Sequence, residues 1–214
     1  MSLTLLTSGT TKLPKKIVHS WQYINEAIQR SINEISLTSN DIVLDVFPAN
    51  TIAHYTVTAM PAYRVGAQLI SAKFEAIDYL QRFNQCRPTY IALIPRHWEI
   101  LKEQPAWDNM DLSCVRYMVT GSGAVSQAMI DDFVNKGVKT VANWYGMTEY
   151  PPPVFVGYNT ESFDFKSNGY TVEFTDEGEC VIDGFYTGDL FDVETKMFLM
   201  RKNTPSHTKT WKNS

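Results

Sequence analysis

The sequence has 214 residues, with 19 basic and 23 acidic side chains, so its formal charge is 19 − 23 = −4. With 44% apolar and 20% charged residues it can bury a sizeable core in one or two domains, which excludes collagen, a disordered tail and a disulfide scaffold. There is no basic stripe to neutralise phosphates, which argues against a nucleic-acid partner. No apolar run approaches the roughly 18 residues of a membrane span, and no basic segment followed by a long apolar stretch marks a secretory signal. A cytoplasmic protein with no membrane partner is the expectation. The odd number and wide spacing of Cys86, Cys114 and Cys180 fit reduced structural thiols. His19, His54, His97 and His207 share no zinc-site spacing with them. A dedicated metal cage is therefore not expected, which leaves a substrate-borne Mg²⁺ open.

Residues 3–6 form a short apolar strand that runs into the small, polar stretch Thr7-Ser8-Gly9-Thr10-Thr11. Residues 15–19 alternate as a second strand. Ser20 can cap a helix with Trp21, Ile24, Ile28, Ile32 and Ile35 at steps of three and four. Residues 42–47 read as a strand stopped by Pro48, and 51–63 as a helix interrupted by Pro61. Residues 69–71 read as a strand, 74–85 as a helix and 89–94 as a buried strand. A strand over 115–119, a helix from its Ser126 cap to Gly137, and a strand over 139–142 that empties into Asn143-Trp144-Tyr145-Gly146 continue the alternation. This predicts an α/β fold, a mostly parallel sheet flanked by helices. After Pro151-Pro152-Pro153 short β runs and turn signals take over. The expected division is an α/β core over 1–153, a small β-rich region over 154–200, and a basic tail over 201–214.

Four stretches can carry chemistry. The loop Thr7, Ser8, Gly9, Thr10 and Thr11, closed by the cation of Lys15, is dense in hydroxyls and N–H groups and can cradle phosphate. It departs from a Walker A loop, and the plainer alternative is a Ser/Thr-rich turn. Gly121, Ser122, Gly123 and Ala124 follow a strand, where small residues let a planar ligand approach the backbone; taken alone, a tight strand-to-helix connection is the plainer alternative. Residues 143–149 lie beyond a parallel strand, where open sheets bind ligands. There Tyr145 offers a stacking face, Asn143 an amide for a base edge, Thr148 a hydroxyl and Glu149 a hard oxygen for Mg²⁺. A polar loop with buried aromatics is the alternative. Asp189, after Thr187-Gly188, can accept both hydroxyls of a ribose, or is a turn residue.

In this order, Thr7-Ser8-Gly9-Thr10-Thr11-Lys12-Leu13-Pro14-Lys15-Lys16, Tyr145-Gly146-Met147-Thr148-Glu149 and Thr187-Gly188-Asp189 resemble the T-S-G-T-T-G-x-P-K-G, Y-G-x-T-E and T-G-D motifs of the adenylate-forming (AMP-binding) superfamily. That family includes acyl- and aryl-CoA synthetases, luciferases and peptide-synthetase adenylation domains. The resemblance runs from about residue 3 to 201. It implies that residues 7–11 hold the β- and γ-phosphates of ATP. The adenine would lie between Tyr145 and the 121–124 backbone, with Asn143 at its edge among 143–146. It further implies Thr148 at the α-phosphate, Glu149 on Mg²⁺, Asp189 on the ribose, and Arg201 as the hinge arginine. The implied reaction is attack of a carboxylate on the α-phosphate, with transfer of the acyl-adenylate to coenzyme A or another acceptor. Such chemistry needs charge stabilisation around phosphorus.

Compared with the family, the sequence starts almost at the phosphate loop and stops just past the hinge. The resemblance therefore implies a truncated member without the N-terminal portion or the C-terminal lid with its catalytic lysine. Lys12 and Lys16 replace glycines, which costs about 1 kcal/mol or more wherever the backbone must be left-handed. Ala49-Asn50-Thr51 stands where many relatives carry a gating histidine or aromatic, and His54 reads as a helix-face residue. Three functions stay open: an AMP-forming ligase, acting alone or with a partner; an inactive AMP/ATP-binding module with a regulatory or sequestering role; and a relic. The expected partners are an adenine nucleotide, a small carboxylic acid and, to cover exposed apolar surface, a second copy or a partner subunit.

Overall fold

Central strands buried on both faces and capped amphipathic helices build the fold, seen here in a computed structural model that describes residues 2–7 and 15–202. Strands β1 (Ser2–Thr7) and β2 (Lys15–Ser20) form an antiparallel hairpin in full register, with Thr7 opposite Lys15. Ser20 accepts the Tyr23 N–H and caps α1 (Trp21–Ile35). The inward face of α1, with Ile24, Ile28 and Ile32, packs on Leu3 and Leu5 of the hairpin. Each buried isoleucine contributes about 1.5–3 kcal/mol. Lys16 sits in extended ladder geometry opposite Leu6, so its replacement of a glycine brings no left-handed strain.

The main sheet has the order β4-β3-β5-β6-β7-β8. Strands β3 (Ile42–Asp45), β4 (Gln68–Ser71), β5 (Tyr90–Ala92), β6 (Tyr117–Gly121) and β7 (Val141–Tyr145) are parallel, and β8 (Phe155–Tyr158) is antiparallel at the edge. Alternate residues face opposite layers. Leu44, Ile91, Met118 and Val141 meet α3 (Ala76–Cys86), α4 (Pro95–Lys102) and α5 (Gln127–Asn135). Val43, Tyr90, Ala92, Val119, Ala142 and Trp144 meet Ile35 of α1, a π-helical turn over His54–Thr58, and α2 (Ala59–Val65). Both faces are covered, as a parallel sheet requires.

Four expectations change. The strand expected over 89–94 is cut to Tyr90–Ala92, because Pro95 opens α4 from the first helical position, where its missing N–H costs nothing. Strand β3 ends at Asp45, short of Pro48. The helix runs through Pro61, and the Val57 carbonyl that Pro61 cannot serve accepts the buried Tyr90 hydroxyl at 2.9 Å. Strand β7 continues through Tyr145, because β8 pairs with residues 142–145.

Strands β9 (Val172–Phe174), β10 (Glu179–Ile182), β11 (Phe185–Asp192) and β12 (Met197–Arg201) form a separate antiparallel sheet in the order β12-β11-β10-β9. Asp183 and Gly184, both at positive φ, make the two-residue turn between β10 and β11. An aromatic cluster of Tyr145, Phe155, Phe163 and Phe191 joins this sheet to the main one.

Candidate functional site

The connection from β3 to β4 runs to one side of β3, and β5 lies on the other. That reversal opens a crevice at the carboxyl ends of β3 and β5, the place where open α/β sheets take ligands. A cleft occupies it. Phe47, Ala53, Val57, Leu93, Val119 and Trp144 make it apolar, and Thr120, Gly121, Ser122, Gly146 and Pro152 complete its lining. A second cleft lies beside it, lined by Gly123, Ala124, Val125, Asn143, Glu161, Phe163, Met197 and Phe198.

The segment 121–124 is the wall between the two. Gly121 closes β6 so near to β7 that a Cβ there would stand 2.3 Å from the Trp144 carbonyl oxygen. Only glycine fits. Ser122 follows at φ 59°, turning the chain from one cleft to the other. Strand alternation sorts 143–145 in the same way. Trp144 packs with Val57 and Val119 at the apolar cleft, while Asn143 lines the second cleft and donates from Nδ2 to the Glu161 carbonyl at 3.0 Å.

Tyr145 is 8% exposed, so the open stacking face expected of it is covered: its ring lies parallel to Phe155 at 4.5 Å and meets the edges of Phe163 and Phe191. Its hydroxyl donates to Oδ2 of Asp189 at 2.7 Å. Burial first, then the Asp189 charge, push the phenol well above its ordinary range. Asp189 is 5% exposed, and Arg201 donates to it from Nε at 2.7 Å and Nη2 at 3.1 Å. The tyrosine, the aspartate and the arginine thus meet in one linked set.

Thr148 and Glu149 are half-buried in the loop that follows β7. That loop is held by its own Met147 N–H to the Tyr150 carbonyl, and by the Tyr170 hydroxyl, which donates to the Pro151 carbonyl at 3.0 Å. Arg30 of α1 in turn bonds and stacks on Tyr170. Fully buried His19 of β2 reaches the Thr148 carbonyl at 2.6 Å. Burial lowers the imidazole pKa, against the opposing pull of that carbonyl and of Glu149. Among the described residues no hydrogen bond or ion pair ties up the Glu149 carboxylate, and no group of three metal-ligating side chains exists. A single free carboxylate suits Mg²⁺, which keeps waters and takes its remaining ligands from phosphates. Lys15 is exposed at the start of β2. Ser8, Gly9, Thr10 and Thr11 lie outside the described residues, as does the side chain of Thr7.

His54 lies on the π-helical turn, where its Nδ1 is 2.8 Å from Oδ2 of buried Asp45. Thr58, Ser71 and the Phe47 N–H complete the Asp45 shell. That network is closed. Phe47, Ala53, Val57 and Tyr170 are ordinary core residues by type and carry no sequence signal of a site; the polar ring of His19 inside an alternating strand is a signal.

A mostly parallel sheet covered on both faces, with two clefts at its carboxyl edge, defines an α/β protein of the open-sheet class. The chain belongs to the AMP-binding enzyme family, whose pattern matches residues 2–176. It is 31% identical to the indoleacetate–CoA ligase of Aromatoleum aromaticum over 156 residues, covering 70% of this chain and 29% of that protein. It is 28% identical to 4-coumarate–CoA ligase 3 of Arabidopsis thaliana over 169 residues, covering 75% and 30%. The chain thus spans about a third or less of these relatives' length. Among solved structures it resembles the inhibitor-bound N-terminal domain of FACL13 from Mycobacterium tuberculosis, with a TM-score of 0.79 and 20% identity over 94% of this chain and 61% of that one. It also resembles the O-succinylbenzoate coenzyme A synthetase of Bacillus subtilis in complex with ATP and magnesium ion, with a TM-score of 0.76 and 18% identity over 92% and 49%. These two likenesses establish the acyl-CoA synthetase N-terminal fold. No described helix is long and apolar enough to cross a membrane.

Proposed function

We propose that this chain binds ATP or AMP at the carboxyl edge of the main sheet, as the nucleotide- and acid-holding part of an AMP-forming acid–CoA ligase. The observation that carries the reading is that 121–124, Asn143, Trp144 and Gly146 line two neighbouring clefts, with Asp189 and Arg201 joined to the same strand through the Tyr145 hydroxyl. The second cleft takes the adenine, against the 123–124 backbone and with the Asn143 amide at its edge. Asp189 and Arg201 hold the ribose. Residues 7–11 with Lys15 hold the outer phosphates, and Thr148 the α-phosphate. Glu149 would hold Mg²⁺, which supplies positive charge to the phosphate oxygens. The apolar cleft takes the tail of a carboxylic acid and brings its carboxylate past Gly121 to phosphorus. A carboxylate oxygen then bonds to the α-phosphorus, the bond to pyrophosphate breaks, and an acyl-adenylate remains for coenzyme A. Holding both reactants across one wall supplies much of the acceleration, since little covalent help is needed from the protein. Among the described residues the lining of the apolar cleft carries no charged side chain, and relatives are named for indoleacetate and 4-coumarate, which supports an acid with an uncharged, apolar tail.

The enclosure of Tyr145 and the engagement of Asp189 by Arg201 favour a second reading, an AMP/ATP-binding module without turnover. Calorimetric titration with AMP and with ATP, with and without Mg²⁺, tests the site: both bind, and Mg²⁺ strengthens ATP. No heat at millimolar nucleotide contradicts the reading. Carboxylate-dependent exchange of labelled pyrophosphate into ATP separates ligase from module, because the module binds nucleotide yet stays blank across a broad panel of acids.

A further inference from the structure

Strand β2 alternates, so Ile17 and His19 face inward between less buried neighbours. A polar ring at a fully buried position is costly unless hydrogen-bonded. At position 19 that partner is the Thr148 carbonyl, 129 residues further along the chain, with Nε2 at 2.6 Å. One face of the ring is fixed against Tyr23 at 5.1 Å and 24°. The two strands of the hairpin flank residues 8–14, and Thr148 and Glu149 lie on the loop after β7. A carbonyl accepts only from a protonated nitrogen, so the contact requires hydrogen on Nε2.

We infer that His19 is a positioning residue: through its Nε2–H bond to the Thr148 carbonyl it sets the hairpin of the phosphate loop at a fixed distance from the loop that presents the Thr148 hydroxyl and the Glu149 carboxylate. The inference rests on the proposed nucleotide site. It assigns His19 no contact with nucleotide. Its effect falls on the phosphates and the cation, which the two loops share, and spares the adenosine.

Two measurements test it. In long-range ¹H–¹⁵N correlation spectra of the wild-type protein, His19 carries its proton on Nε2; a proton on Nδ1 with bare Nε2 overturns the inference. In titrations, His19→Leu weakens ATP binding in Mg²⁺ by about tenfold and leaves adenosine binding within about twofold. His19→Gln, whose amide N–H reaches the same point, restores ATP binding to within about threefold of wild type. Equal loss for adenosine and ATP, or no loss in folded His19→Leu, overturns the positioning role. If His19→Leu does not fold, the Gln variant decides, and failure of folded His19→Gln to bind ATP in Mg²⁺ overturns it. Wild-type protein that binds neither ATP nor adenosine removes the proposed site itself. Wild-type binding with an indifferent His19→Leu removes only the role of His19.

Discussion

The two ends of the main sheet are built on opposite terms. At the amino end, buried Asp41 accepts from Arg116 Nε and Nη2, both at 2.7 Å, from the Thr89 hydroxyl at 2.7 Å and from the Thr38 N–H at 2.9 Å. Arg116 also donates to the Ile35 and Ser36 carbonyls, tying the end of α1 to β3, β5 and β6. At the carboxyl end the loops diverge around two clefts, and the Glu149 carboxylate has no hydrogen-bonded or ion-paired partner among the described residues. At the amino end one buried ion pair ties three strands and a helix together, whereas at the carboxyl end the half-buried Glu149 stands outside the closed networks of Asp45 and Asp189. Stability and binding are thereby separable by substitution.

The largest effect is expected at the amino end. Arg116→Met leaves the Asp41 carboxylate buried without its cation, costing about 3 kcal/mol. For a chain of this length that lowers Tm by about 6–12 °C. AMP affinity, titrated well below the melt, stays the same. A melt lowered by under about 2 °C would break the contrast.

The same pair sets the acid limb of stability. Burial pushes the Asp41 carboxyl up, but the bonds from Arg116, Thr89 and the Thr38 N–H outweigh it and hold it at about 2, against an ordinary 3.8. The folded state therefore keeps this group charged at a pH where the unfolded chain has protonated it. The contribution, about 2 kcal/mol, is complete above about pH 5 and disappears as pH falls from 4 through 2. Urea unfolding across that range should show a flatter limb for Asp41→Asn than for wild type.

At the other end the pattern reverses. Glu149→Gln weakens ATP binding in Mg²⁺ by about tenfold, worth about 1.4 kcal/mol, and moves Tm by no more than about 1 °C. A melt that drops with the affinity would mean that Glu149 supports the fold. The smallest effect is that of exposed Lys15: Lys15→Met lowers ATP affinity about threefold at low salt, and the difference fades by physiological ionic strength because the charge is screened.

Much of the architecture was legible because it follows from local rules. Ser20 with isoleucines at steps of three and four specifies α1, and Asp183-Gly184 specifies its hairpin. What escaped depends on distant partners. Pro95 looks like a strand stop until the helix after it is seen, and Pro61 looks like a break until Tyr90 supplies the missing donor. The site was legible as motifs but not as geometry. The ordering of 121–124, 143–149 and 187–189 is written in the chain. That strand pairing sends Trp144 to one cleft and Asn143 to another, and that Phe155 covers Tyr145, depends on β8 and β11, far along the sequence.

The most direct test of the central claim is an amide ¹H–¹⁵N map of the protein titrated with AMP. Occupation of the carboxyl edge predicts saturable shifts at 121–124, 143–149 and Asp189, with Thr38, Asp41, Thr89 and Arg116 unmoved. Shifts confined to the amino end, or none at millimolar AMP, would contradict it.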